Sequence, residues 1–390
     1  MTPQARVQAA IEILDAVVAA ARNKGAPADR IISDWFRPRR YAGSKDRRAV
    51  RELVYAAIRR CGEVPASGRA AMLFVAQGDP ALASLFDGSR HGPAPPAPGE
   101  TVASGGTAPA WLAEALASSG IDESSQRALL LRAPVDVRIN TLKAAIAQLP
   151  EAGEPTIAPH ARRFPPDTAV EQWSAYQAGV IEVQDAGSQL VCEALAARPG
   201  ERLVDLCAGA GGKTLSLAAA MDNHGHLLAC DADRARLSRL PPRAARAGVS
   251  IIETRLLDAG REGPALTDWA GSADGVLIDA PCSGTGTWRR NPESRWRLSP
   301  EEVARLAALQ QRLLALAATL VRPGGRLVYV VCSLLDAEGA DQVEAFLRSS
   351  PGWRAVPLEL GAGDPRGRGL RLTPLADGCD GFFVARLERT

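Results

Sequence analysis

Apolar residues recur at helical spacing through the first ninety positions. Val7, Ile11, Leu14 and Val18 fall on one face of residues 5–21, which predicts an amphipathic helix. Val50, Leu53, Val54, Ala57 and Ile58 do the same over residues 46–60, and shorter helical pieces follow near 69–76 and 80–86. The chain therefore opens as an all-helical region. Between Asp87 and Thr107 the run GSRHGPAPPAPGETVASGG is too rich in Pro, Gly and Ser to bury a core, and it is expected to be a linker.

Helices are predicted again near 109–118 and 122–131, after which VDVRINTLK (135–143) alternates apolar and polar residues like a strand. From residue 200 onward the pattern changes. Short apolar runs (RLVDLC, HLLACD, SIIETRL, GVLIDAP and GRLVYVVCS) alternate with helical stretches such as 300–321. That alternation predicts an α/β fold, a mostly parallel, doubly wound sheet with helices on both faces. Ligands of such sheets bind beyond the carboxyl ends of the strands.

Composition narrows the class without naming a function. The 390 residues suggest about two or three domains. With 46% hydrophobic and 23% charged residues the chain is of ordinary globular type. A net charge of +2 excludes a wholly polyanion-coating protein and leaves local basic patches open. Seven cysteines, widely spread and nowhere Cys-x-x-Cys, form neither a disulfide framework nor a zinc ribbon. Glu12 and Asp15 interrupt the first apolar stretch, which argues against a secretory signal, and no apolar run reaches the ~20 residues of a membrane span. The expectation is a reduced, cytoplasmic protein without a membrane segment, without a metal and monomeric.

The first strand of the second half runs into Asp205-Leu206-Cys207-Ala208-Gly209-Ala210-Gly211-Gly212-Lys213-Thr214. Glycines let the backbone turn sharply against a ligand, and a helix starting near Lys213 offers free N–H groups. A P-loop would accept Gly212-Lys213-Thr214 but needs glycine where Cys207 stands, and a dinucleotide fingerprint needs glycine where Thr214 stands. A plain strand–helix turn is the third reading. Asp231, Asp258 and Asp279 then close the next three strands. Four acids with a glycine loop exceed what helix capping accounts for. They suit a ligand with a ribose and a hydrogen-bonding base but no obligatory triphosphate, and S-adenosylmethionine fits, with Lys213 pairing its carboxylate.

Cys282 follows the fourth strand and Cys332 the fifth, so two thiols can face one crevice. A buried cysteine is ordinarily a small hydrophobe. A thiolate is, however, the side chain suited to reversible addition to an electron-poor ring carbon. Cytosine carbon 5 becomes nucleophilic once a thiolate has added at carbon 6, and a carboxyl group near ring nitrogen 3, for which Asp279 is the candidate, stabilises the developing charge.

DLCAGAGGKT, DAPCSGTG and VCSL together closely resemble the Sun/RsmB family of S-adenosylmethionine-dependent RNA cytosine-5 methyltransferases, over roughly residues 107–390. The resemblance implies a Rossmann-like methyltransferase domain at 171–390 and a small RNA-recognition-like subdomain at 107–170. These follow an N-terminal helical domain at 1–88, similar to NusB-like RNA-binding domains, and the linker at 89–106. It further implies that Cys332 is the nucleophile and Cys282 the thiol assisting release. Cys207, Ala208, Gly209, Ala210, Gly211, Gly212, Lys213, Asp231, Asp258 and Asp279 would hold the cofactor. The substrate implied is RNA, above all 16S rRNA. The sequence departs from the family pattern twice: Gly209-Ala210 replace the usual Ala-Pro of the loop, and Val331 replaces the Thr before the nucleophile.

Alternatives remain at this point. DNA cytosine-5 methyltransferases place their nucleophile in a Pro-Cys after the fourth strand, as in Pro281-Cys282, although their Glu-Asn-Val segment is absent here. A tRNA enzyme, a P-loop nucleotide hydrolase and a non-enzymatic RNA-binding factor are the others. For RNA contacts, two stretches combine cations with aromatics. Residues 30–60 carry ten Lys/Arg with Trp35, Phe36 and Tyr41, and TWRRNPESRWRLSP (287–300) carries Arg289, Arg290, Arg295 and Arg297 beside Trp288 and Trp296. Because it follows the Cys282 loop, the second stretch is expected to hold the target strand.

Overall fold

The computed structural model describes residues 1–390 except Lys24, Ala147 and Gln148. It divides into two compact units, Met1–Leu131 with Thr287–Ser299, and Arg132–Gly286 with Pro300–Thr390.

The first unit is helical: α1 (Pro3–Arg22), α2 (Ala28–Phe36), α3 (Ser44–Arg60), α4 (Gly68–Ala76), α5 (Pro80–Ala83), α6 (Ala110–Ser118) and α7 (Glu123–Ala128). Proline at the first helical position and the Thr2 hydroxyl, which accepts the Ala5 N–H at 3.2 Å, fix the start of α1. Its apolar stripe, Val7, Ile11, Leu14 and Val18, is buried, and most of it joins Val50, Val54 and Ile58 of α3 in one core.

Two expectations fail in this unit. Residues 89–106 do not separate domains. They run along the helices, with Glu100 paired to Arg69, Arg69 donating to Ala94 O at 3.0 Å, and the Ala103 N–H donating to Ala70 O at 3.1 Å. The stretch 287–300 is not a phosphate-binding row. Arg295 is fully buried and donates to Ile58 O at 2.5 Å and Cys61 O at 2.7 Å, and burial pushes its guanidinium down to about 9. Arg297 donates to Gly25 O and Ala26 O at 2.5 and 2.7 Å. Arg289 is buried and Arg290 half-buried, and Trp288 and Trp296 are interior side chains, not stacking platforms. Carbonyls at helix ends need donors, and this segment supplies them.

The second unit begins with a four-stranded sheet of β1 (Val135–Ile139), β2 (Glu154–Pro155), β3 (Ala161–Phe164) and β4 (Ile181–Val183), ordered β2-β3-β1-β4 and antiparallel throughout. The short helix α8 (Ser174–Gln177) precedes β4, so the sheet extends past residue 170, and α9 (Ala186–Glu193) follows it. Asp136, 1% exposed, accepts from both Arg163 nitrogens at 2.7 and 2.8 Å and from the Ala186 N–H at 3.1 Å, tying the sheet to α9.

The main sheet is then laid down by β5 (Arg202–Asp205), α10 (Gly212–Ala220), β6 (His226–Asp231), α11 (Arg234–Leu237), α12 (Leu240–Ala247), β7 (Ile252–Leu256), β8 (Ala273–Asp279), α13 (Pro300–Leu320), β9 (Val321–Val331), α14 (Ala340–Ser349), β10 (Trp353–Val356), β11 (Asp364–Arg366), β12 (Gly369–Leu372), α15 (Pro374–Asp377) and β13 (Phe382–Arg389). Strand order is β11-β12-β13-β9-β8-β5-β6-β7, with β10 also on β13. The stretch from β9 to β7 is parallel, and β13 joins β9 antiparallel. Side chains alternate between two cores: Leu203, Leu277, Val328 and Val330 enter one, and Val204, Val276, Ile278 and Tyr329 the other. The chain turns outward in both directions from β5, so the switch point lies between β5 and β8, and the carboxyl ends there are the place for a ligand.

Replacing Arg295 with alanine strips donors from three buried carbonyls, those of Pro292, Ile58 and Cys61. We expect a loss of about 3 kcal/mol, read as a clear fall in thermal midpoint. An unchanged midpoint would return this arginine to the surface.

Candidate functional site

Burial and backbone donors shape the carboxyl edge of β5 and β6. Gly209 and Gly211 have φ of +54° and +85°, and a Cβ on Gly211 would run into Leu240. The Gly209 N–H donates to Asp231 at 2.7 Å, and the Asp233 N–H donates to the other oxygen of the same carboxylate at 2.7 Å. The Ala208 N–H donates to Cys230 O at 2.8 Å. Gly211 caps α10 without a side chain, and a Cβ at Gly212 would meet nothing within 4 Å, so the first turn of α10 lies beside open space. A backbone cradle with a helix N-terminus and an acid on the next strand fits an adenosyl cofactor carrying a carboxylate.

The unfamiliar Gly209-Ala210 pair is braced from behind. Glu182 of β4, 2% exposed, pairs with Arg243 and Arg246 of α12, and Arg243 also donates to Ala210 O at 2.6 Å. Within this unit the small sheet thus supports the loop through one ion-paired arginine.

Lys213 is 9% exposed and its ammonium lies 2.6 Å from Asp279, so the cation expected to meet a ligand carboxylate meets a protein carboxylate here. Burial works against the ammonium, but Asp279, with smaller contributions that include Cys332, holds its pKa above the usual lysine value. Asp205 is fully buried. One of its oxygens accepts the Thr214 hydroxyl at 2.6 Å and the other has no partner. Burial, with the charges of Asp279 and Asp231, pushes this carboxyl up to about 7. Burial first, and then the same acids, raises the Cys207 thiol well above 9, so Cys207 is a neutral part of the loop wall. Asp258 stands exposed beyond β7 and is not drawn into this cluster. His224 and His226 contact Asp222 O and Glu253, away from the loop.

The two expected thiols meet. Register pairs Asp279 of β8 with Val330 of β9, and just past these strand ends Cys282 Sγ lies 3.4 Å from Cys332 Sγ. Both are half-buried and free. The hydrogen bond with Cys332, then burial, pushes the Cys282 thiol well above 9. The Gly286 N–H donates to Cys332 O at 3.0 Å and fastens one loop to the other. Sequence reasoning missed Glu338, which is fully buried beneath both loops and hydrogen-bonded to Ser283 and Ser333. The only trace was an acid six positions beyond Cys332.

A sequence profile of the 16S rRNA methyltransferase RsmB/F family matches residues 192–388, which hold the cofactor loop and both thiols. The chain belongs to the RsmB/F family. It is 36% identical over 271 residues to the probable ribosomal RNA small subunit methyltransferase B of Synechocystis, covering 65% of this chain and 60% of that protein. It spans one half to two thirds of the length of the curated RsmB relatives it matches. Among solved structures, PH0851 superposes with a TM-score of 0.76 at 25% identity, covering 100% of this chain and 99% of its own. NSun6 from Pyrococcus horikoshii, solved with SFG, gives a TM-score of 0.51 at 26% identity over 56% of each chain. In this RsmB/F chain the doubly wound sheet expected from the strand pattern, and the Rossmann-like methyltransferase fold implied by the family resemblance, are therefore in place.

The raised Asp205 pKa makes a pH-dependent contribution to stability. An acid whose folded pKa exceeds its unfolded value favours the fold at low pH, and that contribution disappears as pH rises from about 4 to about 7. Asp205→Asn should flatten that part of the stability curve. It should raise the thermal midpoint relative to the parent at pH 8 and have little effect near pH 5. Equal shifts at both pH values would mean that Asp205 does not titrate there.

Proposed function

We propose that this chain is an RNA cytosine-5 methyltransferase that acts on 16S rRNA through a covalent Cys332 adduct. The observation carrying the reading is the 3.4 Å pairing of the thiols of Cys282 and Cys332 at the ends of adjacent parallel strands, next to the Lys213–Asp279 pair. The cofactor is S-adenosylmethionine, held by Cys207–Lys213 and Asp231 with Asp258 at the rim, and it supplies a methyl group activated on a sulfonium. All other work falls to the chain.

Cys332 adds as thiolate to carbon 6, which places electron density on carbon 5. Asp279, steadied by Lys213, faces the ring and stabilises the charge that develops near nitrogen 3. After methylation, carbon 5 gives its proton to solvent, the carbon 5–carbon 6 double bond re-forms and the bond from Cys332 to carbon 6 breaks. The leaving sulfur is again a thiolate, and the Cys282 S–H donates to it. The target base must leave its stack to reach a crevice at a sheet edge, so an unpaired or opened segment of rRNA is the substrate.

The basic surface of the helical unit offers the RNA contact. Tyr41, 69% exposed, and Arg40 lie between α2 and α3, and Lys45 and Arg48 in the first turns of α3; the three cations are exposed and without ion-pair partners among the described residues. This surface takes the role expected of the arginines of 287–299, of which Arg289 and Arg295 are buried and Arg290 and Arg297 half-buried.

Cys332→Ala should abolish both methylation and the RNA adduct, whereas Cys282→Ala should accumulate the adduct, seen as a protein–RNA band that survives denaturation. The opposite pattern would make Cys282 the nucleophile. Reversing charge at Arg40, Lys45 and Arg48 together should weaken RNA binding and reduce the slope of log affinity against log salt by about 2, at ~0.7 per lost phosphate contact. Unchanged affinity and slope would remove this surface from the interface.

A further inference from the structure

Glu338 lies in the short turn Asp336–Glu338 after Cys332 and is fully buried, with no cation among its hydrogen-bond partners in the described residues. Its carboxylate instead gathers neutral donors from three segments. The Ser283 N–H donates at 2.8 Å, the Ser333 hydroxyl at 2.6 Å and the Gln310 side-chain amide at 3.1 Å, and the Ser283 hydroxyl donates as well. Ser283 follows Cys282 in sequence and Ser333 follows Cys332. The two hydroxyls are 3.1 Å apart, the same Gln310 amide also donates to Pro281 O at 2.9 Å, and the Tyr329 hydroxyl donates to Glu338 O at 2.6 Å. One buried side chain thus grips the residue after each thiol.

We propose that Glu338 is a positioning residue, a buried clamp that holds the Cys282 and Cys332 loops at their working separation without touching substrate or cofactor. The proposal rests on the methyl-transfer reading above. Strand ends release their loops into irregular backbone, and nothing in the sheet register itself fixes the sulfur positions. A carboxylate accepting from both loops removes that freedom, and misplacing reacting groups by ~1 Å can cost on the order of 100-fold in rate. The cost of burying the carboxylate is offset by its donors, which is why a residue with fewer acceptor sites serves poorly.

The test compares the full-length parent with Glu338→Gln, using an unmodified 16S rRNA transcript and S-adenosylmethionine. We expect kcat and the rate of Cys332 adduct formation to fall by about 10- to 100-fold, with KM for RNA and Kd for the cofactor unchanged. We also expect iodoacetamide to reach Cys282 at lower pH in the variant, because the Glu338 charge is among the causes that keep that thiol protonated. A purely structural role would lower stability without this selective fall in kcat and adduct rate. If Glu338→Gln does not fold, Ser333→Ala removes one arm of the clamp and leaves both Ser283 bonds, and it should lower kcat with the same selectivity. Parental kcat and a parental alkylation profile in the folded variant would overturn the clamp while leaving the reaction intact. Absence of a Cys332 adduct in the parent, together with methylation by Cys332→Ala, would overturn the reaction itself and the clamp with it.

Discussion

Crowded negative charge at the carboxyl edge of the sheet is the constraint on which the site is built. Asp205, Asp231 and Asp279 end three neighbouring strands, and Lys213 is the ammonium set among them. Buried like charges are costly unless they are paired or accept hydrogen bonds. Each acid meets that demand differently. Asp279 takes the lysine, Asp231 takes two backbone N–H groups, and Asp205 takes one hydroxyl and is held toward its neutral form. The loop conformation follows from these choices, since the Gly209 N–H reaches Asp231 only with the backbone at positive φ.

The same edge sets the state of the thiols. Cys207 faces the acids and is kept neutral by burial and their charge, whereas Cys332 lies within the electrostatic reach of Lys213. These two cysteines, two strands apart, thus have opposite charges for neighbours. Composition could not have distinguished them, because the difference lies in which strand end each one follows.

Much of this was legible in sequence because its signals are local. Apolar runs ending in Asp or Gly marked the strands from β5 to β9, and two cysteines placed just past two of those runs implied one crevice. What escaped depends on distant partners. Pro/Gly composition at 89–106 could not reveal that Glu100 pairs with Arg69. Arginine density at 287–299 looked like an RNA-binding row, yet Arg295 bonds carbonyls of residues 58 and 61, far back in the chain. Glu338 was invisible for the converse reason: a single acid carries no pattern, and its importance comes from what two other loops bring to it.

Parallel pairing explains why these parts can share one edge. Neighbouring parallel strands end on the same side roughly 4.8 Å apart, so the loops beyond β8 and β9 leave the sheet side by side. An antiparallel partner would send one cysteine to the opposite edge, and here the antiparallel strand β13 is kept on the far side of β9. With β5 beside β8, the cofactor loop stands one strand away from Cys282 and two from Cys332. A reaction that needs a donor group, a nucleophile and a proton-bearing neighbour within a few ångströms can thus be served by three consecutive strands, leaving only the fine adjustment of the loops to buried side chains.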